Sequence, residues 1–190
     1  MGITTRCFRD IIKYWGECWR LCGIVAGALC ILFFLVRICA VKNGVAHRPW
    51  KDSVSRLLLY VCDGVYATYA FYVTFGMRYI GQRREVQWIP FKMVWSNPWE
   101  IPLLVENVLL FVPFGILLPL TCRRFSDWKQ VMVCSLGISV FIEVSQYIFH
   151  CGKTETDDVI LNVLGSMVGY ALLCAGKGIL RVTGICKRGR

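Results

Sequence analysis

The chain has 190 residues, of which 56% are hydrophobic and only 18% are charged, and its mean hydropathy is +0.54. This composition is typical of an integral membrane protein, and it excludes a disordered chain, a coiled coil and a soluble nucleic-acid binder. Each membrane span takes about 20 residues, so several spans leave no room for a soluble catalytic domain. The excess of 22 Lys and Arg residues over 12 Asp and Glu residues is explained first by loops that face the cytoplasm.

The N-terminal part, residues 1–56, is predicted to hold an amphipathic segment, a first membrane span and a basic loop. Residues 5–20 mix basic side chains with Trp and Ile, which is typical of a helix lying in the membrane interface. Residues 21–41 are long and apolar enough to cross the bilayer, and Arg37 is close enough to their end to reach water.

A transmembrane domain is predicted over residues 57–176, followed by a basic tail over residues 177–190. Residues 81–100 contain two prolines and three tryptophans, which favours an irregular segment at the level of the headgroups. The predicted fold class is therefore all-α, a polytopic membrane helical bundle of about five transmembrane helices with an N-terminal amphipathic segment. The four spans of the transmembrane domain are predicted at residues 57–80, 101–120, 130–149 and 158–176.

The basic residues predict an orientation. With five spans, one side of the membrane carries twelve Lys and Arg residues, in the 42–56 loop, the 121–129 loop and the tail, against nine on the other side. This places the tail in the cytoplasm and the 150–157 connection outside. The basic N-terminus then lies outside, and the alternative is that the first hydrophobic segment dips into the membrane and returns.

Polar side chains of the last three spans are predicted to form one cluster. The start of the third span, the end of the fourth and the start of the fifth must lie on the same side of the membrane. Polar residues recur at steps of three and four on the fourth and fifth spans, so each set follows one helix face. The predicted binding residues are Arg84, Asn107, Glu143, Gln146, Asp158 and Asn162.

Two interpretations of this cluster remain open. It can join helices through hydrogen bonds, as buried polar side chains commonly do in membranes. It can also form a cleft, open to the outer leaflet, that binds the polar head of an amphiphile. No catalytic residues, metal ligands or cofactors are predicted, because the sequence lacks a Ser, His and Asp triad arrangement and the usual metal-ligand spacings.

Three ordered motifs resemble the VanZ-like family. They are Ile89-Pro90-Phe91, the stretch E-N-V-L-L-F-V-P-F-G over residues 106–115, and the stretch E-V-S-Q-Y-I-F-H-C-G-K-T-E-T-D-D-V-I-L-N-V-L-G over residues 143–165. The resemblance covers roughly residues 57–175. The positions that carry it are Arg84, Pro90, Phe91, Asn107, Pro113, Gly115, Glu143, Gln146, Asp158, Asn162 and Gly165.

The resemblance implies a multi-pass protein of the bacterial plasma membrane that contributes to tolerance of glycopeptide antibiotics of the teicoplanin type. It implies no reaction, so we expect a protein that is not an enzyme. The expected partners are membrane lipid and, at the cluster, a lipoglycopeptide or a lipid-linked wall precursor. The alternatives are an intramembrane hydrolase or transferase that acts on such a precursor through Glu143 and Asp158, and proton-coupled transport through Glu143.

Overall fold

The protein consists mainly of long helices in the computed structural model, which describes residues 3–42, 50–76, 86–92, 101–150 and 154–182. In these ranges five helices are long and apolar enough to cross a membrane, so the predicted all-α polytopic fold is confirmed. The chain divides into two compact units, Met1–Tyr79 and Ile80–Arg190. The candidate spans are Cys18–Cys39, Asp52–Gly76, Ile101–Thr121, Trp128–Phe149 and Thr156–Gly178.

The first unit is a helical pair. Helix α1 (Ile3–Lys42) packs against α2 (Trp50–Phe71), which continues into a π-helical turn over Tyr72–Gly76. The helices approach closely at Gly64, where an added Cβ would lie 2.5 Å from the side chain of Leu29. A residue larger than glycine at this position would require the end of the Leu29 side chain to shift.

Helix α1 differs from the prediction in its length. Residues 5–20 and the first span are one continuous helix of 40 residues, about 60 Å long, and the candidate span begins at Cys18. The change from a basic, mixed composition to an apolar one had indicated a boundary between two elements. No proline interrupts the helix, so its hydrogen-bond ladder continues through the change in composition.

The second unit contains three spanning helices and a small β-bridge. Its helices are α3 (Ile101–Thr121), α4 (Trp128–Phe149) and α5 (Thr156–Val182), and a short 3₁₀ turn lies between α3 and α4. Strand β1 (Val86–Gln87) pairs in parallel with β2 (Thr154–Glu155), which directly precedes α5. Two-residue strands leave no periodic pattern in a sequence, so this bridge was not predicted.

Helices α3 and α5 are in backbone-to-backbone contact. A Cβ added at Gly165 or Gly169 would collide with a carbonyl oxygen of α3, and one added at Gly115 would collide with a carbonyl oxygen of α5. Small residues at these positions let the two backbones approach closely, as is common between membrane helices. The glycine and carbonyl pairs are Gly165 with Val108, Gly169 with Val112, and Gly115 with Ser166.

The interior of the second unit is unusually polar. The most buried side chains of α4 lie on one stripe, most of them polar, whereas apolar side chains such as Phe141 and Ile148 point outward. This is the arrangement expected in lipid, where apolar groups gain nothing from turning inward. It places the predicted polar residues in the interior of the second unit. The stripe consists of Val131, Ser135, Ser139, Glu143 and Gln146.

Candidate functional site

The polar residues of α3, α4 and α5 meet at one end of the second unit. We call Asn107, Glu143, Gln146, Asp158 and Asn162 the polar cluster. Glu143 is 4% exposed, Gln146 1% and Asn162 5%, while Asn107 and Asp158 are half-buried. Hydrogen bonds between these helices show that their polar ends meet, whereas the predicted binding role of the cluster stays a prediction.

Glu143 binds the strand that precedes α5. Its Oε2 accepts a hydrogen bond from the backbone N–H of Glu155 at 3.1 Å, and its backbone carbonyl accepts one from Thr154 Oγ1 at 3.5 Å. A buried carboxylate is strongly stabilised by hydrogen bonds from fixed N–H groups. Glu143 therefore holds β2 against α4 in addition to its place in the polar cluster.

Asp158 joins α5 to α3. Asn107 Nδ2 donates a hydrogen bond to Asp158 Oδ1 at 2.6 Å. Asp157 and Asp158 both lie in the first turn of α5, where the partial positive charge of the helix N-terminus stabilises a carboxylate. The position of Asp158 is thus favourable both for the helix and for contact with α3.

Asn162 joins α5 to α4 one turn further into the membrane. Its Nδ2 donates to Ser139 Oγ at 2.8 Å, and its backbone carbonyl accepts a hydrogen bond from Ser166 Oγ at 2.9 Å. Asn162 Oδ1 is buried and has no hydrogen-bond partner among the described residues. The amide consequently has one acceptor that the surrounding helices do not use.

One predicted residue of the site lies outside the described residues, and the structure adds a residue that was not predicted. Arg84 lies outside the described residues, so its predicted place beside the cluster stays a prediction. Asp157 was missed, although it is 1% exposed and its Oδ1 accepts the backbone N–H of Phe91 at 2.8 Å. Its neighbour Asp158 fitted the repeat of four along α5, and Asp157 did not. The role of Asp157 is visible only in the structure, where residues 86–92 contact the start of α5.

The chemistry available at this end is that of hydrogen bonding around carboxylates and amides. Glu143, Asp157 and Asp158 supply carboxylates, and Asn107 and Asn162 supply amides. Within the described ranges, no group of three or more His, Cys, Asp or Glu residues is arranged to hold a metal ion. Such an arrangement can hold helices together and can bind a group that donates hydrogen bonds.

Comparison with known proteins identifies the family. The family model described as VanZ/LLP1 matches residues 63–180. The chain is 33% identical over 69 residues to Protein VanZ from Enterococcus faecium, and the aligned part is 36% of this chain and 42% of that protein. The chain thus spans less than half the length of this relative, and no solved structure matches it significantly. On the family match, which includes the whole polar cluster, the chain belongs to the VanZ/LLP1 family.

Proposed function

We propose that this multi-pass membrane protein acts in the bacterial plasma membrane and contributes to tolerance of teicoplanin-type glycopeptides. In this proposal it holds the polar head of an amphiphile at the polar cluster, from the outer leaflet. The amphiphile is a lipid, a lipoglycopeptide or a lipid-linked wall precursor. Family membership and the similarity to Protein VanZ support the link to tolerance, and the geometry of the cluster supports the binding.

The unused acceptor of Asn162 is the observation that carries the binding proposal. A buried polar atom without a partner costs about 1–3 kcal/mol, so native proteins rarely leave one unpaired. Asn162 is 5% exposed and lies within a membrane-spanning helix, where water is scarce. A headgroup that donates a hydrogen bond to Asn162 Oδ1 would remove this cost.

Binding fits the cluster better than catalysis does. A general base needs a carboxylate that can reach a substrate proton. Glu143 Oε2 already accepts the Glu155 N–H, and Asp158 Oδ1 accepts the Asn107 amide. A hydrolase or transferase would also need a nucleophile or an activated water beside these carboxylates, and the sequence has no Ser, His and Asp triad arrangement to supply one. We therefore propose a protein that binds without chemical conversion.

Glycopeptide susceptibility tests the proposal in cells. Expression of the chain in a susceptible Gram-positive host should raise the inhibitory concentration of teicoplanin above that of the empty vector. Glu143→Gln keeps the volume and hydrogen-bonding capacity of the side chain but removes its charge, so it should accumulate normally and lose this tolerance. Unchanged susceptibility on expression of the wild type would refute the proposed function.

Ser135→Ala is the matched control. Ser135 is buried on the same stripe as Glu143, but its hydroxyl donates to the carbonyl of Met132 within its own helix. Its loss should leave tolerance intact at equal abundance in the membrane. Full tolerance with Glu143→Gln at normal abundance would instead show that the charge of Glu143 has no part in tolerance, and would favour a role of this side chain in joining helices.

A further inference from the structure

Residues 86–92 are fastened to the start of α5 by three kinds of contact. Strand β1 pairs with β2, Thr156 Oγ1 donates to the carbonyl of Gln87 at 3.1 Å, and the Phe91 N–H donates to Asp157 Oδ1 at 2.8 Å. Phe91 has a φ of 59°, a left-handed conformation that is unfavourable for a bulky side chain. The contacts with α5 hold residues 86–92 in this conformation against its strain.

At the junction between residues 86–92 and the start of α5, two buried atoms have no hydrogen-bond partner among the described residues. Asp157 is 1% exposed, and its Oδ2 has no hydrogen-bond partner among the residues that the structure describes. The same holds for Gln87 Nε2 on β1. Buried polar atoms left unpaired by the protein commonly bind ordered water or a ligand. The junction therefore offers one acceptor, on a carboxylate, and one donor, on an amide.

A single group that bonded to both atoms would have to donate one hydrogen bond and accept another. Asp157 Oδ2 requires a group that donates a hydrogen bond, and Gln87 Nε2 requires a group that accepts one. A hydroxyl or a secondary amide can do both. A doubly ionised phosphate offers acceptors only, and a phosphate in either ionised form is repelled by the carboxylate.

We infer that Asp157 and Gln87 form a subsite for a hydroxyl or amide group of the bound headgroup, which favours glycosylated amphiphiles over phosphate-headed ones. The inference rests on the proposed function, because the subsite adjoins the polar cluster through residues 154–158. It names the ligand chemistry that the cluster alone leaves open. It also gives Asp157 a role in specificity.

Competition between two lipids tests this inference. The purified protein, in nanodiscs of phosphatidylcholine, is titrated with dioctanoyl glucosylglycerol and with dioctanoyl phosphatidic acid, and binding is measured by native mass spectrometry. The wild type should prefer the glucosyl lipid. Asp157→Asn retains one oxygen for the Phe91 N–H but places an NH₂ group where Oδ2 was. Loss of a hydrogen bond to a charged group should weaken glucosyl-lipid binding about tenfold.

The two variants of the pair make the test specific. Gln87→Glu replaces the donor with an acceptor and should also weaken binding of the glucosyl lipid. The double variant, with Asp157→Asn and Gln87→Glu, again presents one donor and one acceptor, and it should regain binding that each single variant loses. A structural role for Asp157 alone predicts no such rescue. The unfolding temperature of each variant reports whether the fold is retained. If Asp157→Asn unfolds, the effect of Gln87→Glu on glucosyl-lipid binding tests the subsite instead.

The outcomes separate this inference from the proposed function. Glucosyl-lipid binding that is unchanged in folded Asp157→Asn or Gln87→Glu would overturn the subsite, since water alone would then satisfy these atoms. A wild-type preference for phosphatidic acid would also overturn it, and would leave binding at the polar cluster intact. Wild-type binding of neither lipid, together with unaltered teicoplanin susceptibility in cells, would refute both proposals.

Discussion

Asn107 on α3 donates a hydrogen bond to Asp158 on α5 at 2.6 Å, at the same end of the bundle where Asn162 of α5 contacts Ser139 of α4. Helix α5 is thereby bonded to both of its neighbours through side chains one turn apart. Because α3 and α5 run in the same direction and α4 runs in the opposite one, these contacts gather the polar groups at one membrane face. The same bonds that stabilise the bundle therefore also assemble the polar cluster.

The first prediction concerns the Asn107 and Asp158 pair. Asn107→Leu removes a donor from a half-buried carboxylate and should lower the free energy of unfolding by about 1–2 kcal/mol, the upper part of the range for polar contacts between membrane helices. Unfolding in mixed micelles measures the change. The combined Asn107→Leu and Asp158→Leu variant should lose less than the sum of the two single changes. Strict additivity would show that the bond contributes nothing to stability.

The second prediction concerns helix packing. Gly165→Ala places a methyl group against the carbonyl oxygen of Val108, so α3 and α5 must separate and the unfolding temperature should fall. Gly137→Ala is the matched control, because nothing lies within 4 Å of a Cβ added at Gly137, which is exposed on α4. Equal unfolding temperatures for the two variants would contradict the close contact between α3 and α5.

The sequence predicts the three helices of the second unit well because their signals are local. Length and hydropathy define each span within a few residues, and the recurrence of Ser135, Ser139 and Glu143 defines the buried face of α4. The common side of Asn107, Glu143 and Asp158 follows from counting spans. Each of these inferences needs only the order of residues along the chain.

The junction at Asp157 could not be predicted in the same way. Its contact with Phe91 joins residues 66 positions apart, and the two-residue strands that align them have no periodic pattern. The Ile89-Pro90-Phe91 motif marked the segment without indicating its partner. The continuous α1 helix was missed for the opposite reason, because a change in composition suggested a boundary that the backbone does not have.

The third prediction concerns the backbone of Phe91. Its φ of 59° is accessible to Asn and unfavourable for a β-branched side chain. Phe91→Val should therefore loosen residues 86–92 and speed hydrogen–deuterium exchange of their amides, whereas Phe91→Asn should leave exchange close to that of the wild type. Both variants lose the exposed Phe ring, so the comparison isolates the backbone effect. Faster exchange in the Asn variant than in the Val variant would contradict the left-handed conformation.

The last prediction concerns the orientation of the polar cluster in the membrane. Trp88 is 78% exposed in the segment bound to the start of α5, and Ser126 is exposed in the connection between α3 and α4, at the opposite end of the bundle. The basic residues around that connection predict that it lies in the cytoplasm. In a background without native cysteines, Trp88→Cys should react with an impermeant maleimide in intact cells, and Ser126→Cys should react only after permeabilisation.

The background protein without an introduced cysteine should remain unlabelled under both conditions. The reverse pattern, with Ser126→Cys labelled in intact cells and Trp88→Cys protected, would place the polar cluster at the cytoplasmic leaflet. A glycopeptide that acts outside the cell would then have no direct access to Glu143 and Asp158. Orientation therefore decides whether the polar cluster can bind an outer-leaflet amphiphile, independently of any loss of tolerance in the variants of the cluster itself.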